Sequence, residues 1–119
     1  MIGVPQEIGF YCYNGRKYTL HMSASVFPVS WDGNEVVPLS DGKIPVIVYL
    51  RVESGPSVAG DCSIYSGGTT FKLATGTKGA TYPMTQVPWF IGESGEPFKG
   101  SGSDPASTAY EVRWIYING

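Results

Sequence analysis

The sequence predicts an all-β protein, an antiparallel immunoglobulin-like β-sandwich of about seven to nine strands. Short segments of alternating apolar and polar residues recur along the chain at intervals of roughly 8–12 residues. Between them lie turn residues, supplied by 16 glycines and nine prolines among 119 residues. No stretch shows the 3.6-residue period of a long helix. The length is that of one domain, which we expect to span residues 1–119.

A hairpin at the start of the chain is the clearest local pattern. Apolar residues alternate with polar ones on both sides of Asn14-Gly15. This dipeptide suits a type I′ turn, which requires positive φ at both central positions. We therefore expect residues 7–13 and 16–25 to pair as antiparallel strands.

The next third of the chain predicts two turns and a central strand. The turns are expected at Asp32-Gly33 and Asp41-Gly42. Residues 44–52 are apolar on both alternating faces, as a strand with neighbours on both sides requires, and Pro45 is tolerated only near its beginning. One face is expected to carry Ile44, Val46, Val48, Leu50 and Val52.

The second half of the chain is more irregular, because glycine and proline are concentrated in residues 75–105. Its clearest segment is the last, residues 110–117, whose alternation gives one strongly aromatic face. Shorter strands are expected at residues 62–65, 69–74, 82–91 with a break at Pro88, and 97–99.

Composition argues against several classes of function. The formal net charge is −2, charged residues are 15% of the chain, and the basic residues are scattered. Nucleic-acid binding requires a clustered basic face, so we expect no nucleic-acid partner. No apolar stretch approaches the roughly 20 residues of a membrane span. Neither cysteine has a second Cys or His at a metal spacing, and we expect no metal and no cofactor.

Two interpretations of the cysteines stay open. Cys12 and Cys62 each lie in or beside a strand-like segment, and a bridge between them would close a long loop worth about 3–4 kcal/mol. Low charge and many Gly, Ser, Thr and Tyr residues suit an oxidising exterior, which favours the disulfide. The alternative is two buried free thiols in a cytosolic protein.

The sequence names no catalytic residues. His21 is the single histidine and is expected on the outward face of the second strand, where a base would lack an orienting partner. No Gly-x-Ser-x-Gly elbow occurs, and a disulfide would remove the thiol nucleophiles. The acids in glycine-containing turns, such as Glu93 and Glu96, are of the kind that usually stays solvated. We therefore do not expect an enzyme.

Two loops suit recognition. In the first, Trp31 lies beside Asp32 and Asn34, which combines an aromatic plane with hydrogen-bonding acceptors for sugar hydroxyls; the ring would equally serve as a buried plug. In the second, Trp89 belongs to an apolar run over residues 87–91 that would form a partner surface if exposed. For this run we expect Trp89 or Phe90 to enter the core.

The chain resembles the pilin and adhesin domains of bacterial chaperone-usher fimbriae. The opening Phe10-x-Cys12-x-Asn14-Gly15 is similar to the early Phe/Cys segment of tip lectin domains. Gly102, followed twelve residues later by Trp114, resembles the glycine-to-aromatic final strand of pilins. A disulfide with strands between its halves is the third shared feature. Such domains are immunoglobulin-like sandwiches.

Departures from the family favour a tip domain over a shaft subunit. Pilins usually close the cysteine loop sooner and end one residue beyond the aromatic, whereas this chain continues through residues 115–119. A shaft subunit also carries a donor strand before its first cysteine, and residues 1–9 are too short for one.

The resemblance implies an extracellular or cell-surface binding module, part of a fimbrium, that holds a glycan or a surface protein through loops at one end of the sandwich. Trp31, Asp32, Asn34 and Trp89 are the expected ligand-binding residues. One alternative is a structural subunit of a surface or virion assembly whose strands pair with neighbouring subunits. Another is a secreted enzyme inhibitor that inserts the Pro88-Trp89 loop into a cleft.

Overall fold

The structure is a computed structural model that describes residues 4–27, 32–54, 62–73, 79–102 and 108–119. These residues form an all-β protein with ten strands, somewhat more than the seven to nine expected. The strands are β1 (Gln6–Tyr13), β2 (Arg16–Phe27), β3 (Glu35–Val37), β4 (Lys43–Ser54), β5 (Cys62–Ser66), β6 (Thr69–Lys72), β7 (Gly79–Tyr82), β8 (Phe90–Ile91), β9 (Phe98–Gly102) and β10 (Thr108–Asn118). Among the described residues, no helix has the length and apolar character that crossing a membrane requires.

The predicted hairpin is confirmed as β1 and β2. Asn14 and Gly15 have φ values of 50° and 74°, both positive as a type I′ turn requires. Tyr13 pairs with Arg16 across this turn, and pairing continues to Gln6 and Met22. Local turn chemistry therefore determines this part of the fold.

The strands form two antiparallel sheets. The first, sheet A, has the order β1-β2-β10-β4-β7, with β8 also paired to β4. The second, sheet B, has the order β3-β9-β5-β6. The predicted central strand is confirmed, because β4 lies between β10 on one side and β7 and β8 on the other.

A shared core joins the two sheets. Trp114, Tyr110 and Leu50 of sheet A belong to the same buried cluster as Phe98 and Ile64 of sheet B. Each has 1% or less of its surface exposed. The aromatic face predicted for the last strand therefore faces the core, and its burial stabilises the contact between the sheets.

A β-bulge in β4 corrects the face assigned to that strand. Arg113 of β10 pairs with Tyr49 and the next residue, Trp114, pairs with Ile47, so Val48 is the extra residue. The bulge reverses the alternation: Leu50 packs in the shared core, whereas Val48 packs on the opposite face. The expectation that all five residues from Ile44 to Val52 share one face is wrong for this reason.

Sheet A encloses a second core on its other face. Tyr11 and Leu20 of the hairpin cluster with Val46 and Val48 of β4, although β2 and β10 lie between β1 and β4 in the sheet. Ile115 of β10 belongs to the same cluster and connects the residues of β2 with those of β4. The described residues thus form two sheets with two buried clusters.

One further expectation is corrected, and another is not shown. Residues 82–91 were expected to form one strand broken at Pro88, but β7 ends at Tyr82 and a loop leads to the two-residue strand β8. Cys12 is an exposed free thiol on the edge strand, so the predicted bridge to Cys62 is not shown. The side chain of Cys62 lies outside the described residues.

Candidate functional site

An exposed apolar segment of the described chain lies between β7 and the end of β8. It carries Met84, Val87, Trp89 and Ile91, which are all exposed, and Val87 has 70% of its surface accessible. We call these four residues the Trp89 surface. Scattered apolar residues are normal on a protein surface, but four within eight positions suit contact with a partner.

The strand β8 sets which residues of this segment face outward. Phe90 pairs with Ile47 and is 8% exposed, with its ring 5.0 Å from that of Phe71 in the core. Successive strand residues point to opposite sides, so the residues on either side of Phe90, Trp89 and Ile91, point to solvent. The expectation that one of Trp89 and Phe90 enters the core is met by Phe90.

The ring of Trp89 is exposed but fixed. Its indole Nε1–H donates to the carbonyl oxygen of Pro83 at 2.6 Å, and its ring meets Tyr82 edge to face at 5.3 Å. Its backbone N–H donates to the carbonyl oxygen of Ile47 at 2.9 Å. With 41% of its surface accessible, the residue presents an apolar plane at little conformational cost on binding.

Hydrogen bonds to sheet A hold the loop before Trp89. The hydroxyl of Tyr11 donates to the carbonyl oxygen of Thr85 at 2.7 Å, which ties the loop to β1. The Thr85 hydroxyl donates to the carbonyl oxygen of Val87 at 2.8 Å and closes a local turn. The loop is therefore held by hydrogen bonds on both sides of Val87, at Thr85 and at Trp89.

The segment after Trp89 is fixed by both sheets. The backbone N–H of Gly92 donates to the carbonyl oxygen of Pro45 in β4 at 2.8 Å. The carboxylate of Glu93 accepts from the Thr69 hydroxyl at 2.6 Å and from the Gly68 N–H at 3.0 Å. Glu93 thus caps the turn between β5 and β6, which gives this acid a structural role in sheet B.

The first predicted recognition loop lies on sheet B. Asp32 forms an isolated bridge with Gly100 of β9, and the N–H of Gly33 donates to the carbonyl oxygen of Gly100 at 2.9 Å. The N–H of Gly100 in turn donates to the carbonyl oxygen of Asn34. Asp32 is exposed, as a ligand-binding carboxylate would be.

The predicted site residues are thus attached to different sheets. Asp32 and Asn34 are held by β9, whereas Trp89 is held by β4 and Pro83. Trp31, the aromatic member of the first loop, lies outside the described residues. Of the predicted ligand-binding residues, Trp89 alone combines a described position, an exposed apolar surface and a fixed orientation.

His21 packs against aromatic side chains and does not have the outward, exposed position predicted for it. It is half-buried, and its ring stacks on Trp114 at 5.6 Å and meets Tyr116 edge to face at 5.3 Å. Burial lowers the pKa of His21, and the nearby carboxylate of Glu7 opposes this effect. The neutral ring is therefore favoured, and it serves packing.

Sequence reasoning identified the apolar run at residues 87–91 but missed Met84. The signal available was its position between Pro83 and Pro88 in a region too rich in turn residues for a continuous strand. In the described part of the chain, no group of three or more His, Cys, Asp or Glu residues is arranged to hold a metal ion.

No protein-family model, curated protein or solved structure matches this chain.

Proposed function

We propose that the protein is an extracellular adhesion module that holds a glycan or a surface protein through the Trp89 surface. The observation that carries the proposal is the fixed and exposed ring of Trp89, with the exposed residues Met84, Val87 and Ile91 near it in the sequence. The resemblance of residues 10–15 to fimbrial tip domains supports the cell-surface location. An immunoglobulin-like sandwich is the fold those domains use, and two sheets with a shared core are compatible with it.

The physical basis of binding is a preformed apolar plane. Tryptophan supplies a large contact area with few rotatable bonds and is enriched among residues that dominate binding energy. Because the indole N–H of Trp89 is already bonded to Pro83, the ring contributes its face and edge rather than a free donor. An apolar sugar face or an aliphatic protein side chain fits such a surface.

A glycan and protein array probed with the folded protein tests this proposal, with Trp89→Ala and Val26→Ala beside the wild type. Val26 is also an exposed apolar residue, but it lies on β2, so it controls for a general loss of apolar surface. We expect a defined ligand family whose signal is lost in Trp89→Ala and kept in Val26→Ala. Unchanged thermal midpoints are required in both variants.

The same array assigns a role to the loop on sheet B. Asp32→Ala is expected to weaken binding less than Trp89→Ala, since its loop is attached to the other sheet. A larger loss in Asp32→Ala would move the site to that loop. A tight one-to-one complex with a hydrolase, and no glycan signal, would favour the secreted inhibitor.

A structural subunit that assembles by strand pairing is the second candidate function. The observation that favours it is the edge strand β1, which carries the exposed apolar residues Ile8 and Phe10. Concentration-dependent assembly without ligand, together with a blank array, would support this function over adhesion.

A further inference from the structure

In the described part of the chain, no strand pairs with the outer edge of sheet A at β1. In the sheet order of the described strands, β1 has one neighbour, β2. Gly9 and Cys12 are exposed, and a Cβ added at Gly9 would meet no atom within 4 Å. Phe10 is 63% exposed. Natural edge strands are usually short, charged or covered, and this one has eight residues with a single charge, on Glu7.

The turn geometry determines which backbone groups of β1 face outward. In a two-residue turn the carbonyl of Tyr13 faces the N–H of Arg16, so the polar groups of Tyr13 point toward β2. The direction of the backbone N–H and C=O groups alternates from residue to residue along an antiparallel strand. The backbone groups of Tyr11 therefore also point toward β2. The N–H and C=O groups of Phe10 and Cys12 therefore point away from the sheet and are available to another strand.

We propose that β1 pairs in antiparallel fashion with β1 of a second copy of this chain, across a two-fold axis at Tyr11. In this register Phe10 of each copy lies opposite Cys12 of the other, and both pairs exchange N–H···O=C bonds. The outward groups of both residues are then satisfied by four hydrogen bonds. A two-fold contact uses the same surface on both copies, as an isologous interface requires.

Charge complementarity favours a second copy of this chain in this orientation. Glu7 lies near the start of β1, and Lys17 follows the turn on β2, where it pairs with Cys12. Both residues lie on the face that carries Phe10, and the ammonium of Lys17 is 4.1 Å from the centre of that ring. Antiparallel pairing points the start of one β1 toward the turn of the other, so Glu7 of one copy and Lys17 of the other lie on the same face, with one strand between them.

The interface is limited to the end of β1 near the turn. The register shift between Glu7 and Gly9 makes Ile8 a bulge residue, which ends regular pairing there. The paired segment is thus residues 9–13, short enough for a reversible dimer. This inference is independent of the binding function proposed for the Trp89 surface, whose residues lie outside β1.

Sedimentation of the full chain under reducing conditions tests the dimer, with Cys12→Pro and Cys12→Ala as a matched pair. Proline at this position removes an outward N–H that β2 does not use, whereas alanine keeps the N–H and removes the thiol. We expect the wild type and Cys12→Ala to dimerise alike, and Cys12→Pro to weaken dimerisation at least about tenfold with a native circular dichroism spectrum. A monomeric wild type at every concentration, or dimerisation of folded Cys12→Pro at wild-type strength, would overturn the proposal.

A charge exchange tests the same contact if Cys12→Pro does not fold. Glu7→Lys alone and Lys17→Glu alone are each expected to weaken the dimer, and the double variant is expected to restore it. Equal dimerisation in all these variants would contradict the proposed orientation.

Amide hydrogen exchange locates the interface. As concentration rises, the amides of Phe10 and Cys12 are expected to become protected, while the amide of Tyr11, already bonded to β2, is protected throughout. A dimer in which the amides of Phe10 and Cys12 still exchange rapidly would place the interface elsewhere and refute the inference.

Discussion

The indole N–H of Trp89 donates a 2.6 Å hydrogen bond to the carbonyl oxygen of Pro83, although the ring remains 41% exposed. An exposed tryptophan whose polar atom bonds within its own loop is oriented before any ligand arrives. The edge-to-face contact with Tyr82 restricts the ring further. Binding through the Trp89 surface depends on this orientation.

Gly92 lies against side chains of both sheets. A Cβ at this position would lie 2.7 Å from Ser66 Oγ, 2.9 Å from Pro45 Cγ and 3.0 Å from Phe98 Cε2. We expect Gly92→Ala to lower the free energy of unfolding by about 1 to 3 kcal/mol, as overpacking does. Gly68→Ala is the control, because its added Cβ would lie an ordinary 3.6 Å from Glu93 Oε2. Equal denaturant midpoints for the two variants would be inconsistent with this packing.

Tyr116 links the last strand to the segment that follows β3. Its hydroxyl donates to the carbonyl oxygen of Pro38 at 2.6 Å, and burial raises its pKa. Tyr116→Phe is expected to reduce the free energy of unfolding by roughly 0.5–1.5 kcal/mol, because it leaves the Pro38 carbonyl without this donor. Urea unfolding measures the loss, and an unchanged midpoint would mean that water replaces the hydroxyl without cost.

His21 makes stability depend on pH. Its pKa in the folded protein is lowered by burial from the usual value of 6.5. Between the two pKa values the unfolded chain binds more protons, so the free energy of unfolding falls as pH decreases through 6.5. We expect the thermal midpoint to decrease between pH 8 and pH 5.5. In His21→Phe, which keeps a ring against Trp114 but does not titrate, this decrease should be smaller; an equal decrease would assign it to other groups.

Glu93 stabilises the turn between β5 and β6 through Thr69 and Gly68. Glu93→Ala is expected to lower the free energy of unfolding by about 1.5 kcal/mol, the lower end for hydrogen bonds to charged groups, since the residue is only half-buried. Glu96→Ala removes an exposed carboxylate nearby and serves as the control. Similar losses in both variants, measured by chemical denaturation, would indicate a general charge effect.

The hairpin was predictable because its information is local. Asn14-Gly15 specifies a type I′ turn, and the turn fixes the register of β1 and β2. The bulge at Val48 has no comparable signal in the sequence. Both faces of β4 are apolar, so the pattern does not determine which alternate residues face the shared core. Pairing with β10 determines it, and this pairing joins residues far apart in the chain.

The orientation of Trp89 depended on tertiary structure in the same way. In a two-residue strand, the sequence does not determine whether Trp89 or Phe90 points inward; the pairing of Phe90 with Ile47 does. The environment of His21 was wrongly predicted because its partners, Trp114 and Tyr116, belong to the far end of the chain. Composition identified both predicted loops. It did not show that Asp32 and Asn34 are attached to sheet B and Trp89 to sheet A.

Titration of the wild type, Trp89→Phe and Trp89→Ala with the ligand selected on the array is the most direct test of binding through the Trp89 surface. We predict that Trp89→Ala weakens the dissociation constant at least about tenfold and that Trp89→Phe, which keeps an aromatic plane without the bond to Pro83, lies between it and the wild type. Equal affinities for all three proteins, or an array with no ligand at all, would contradict the account.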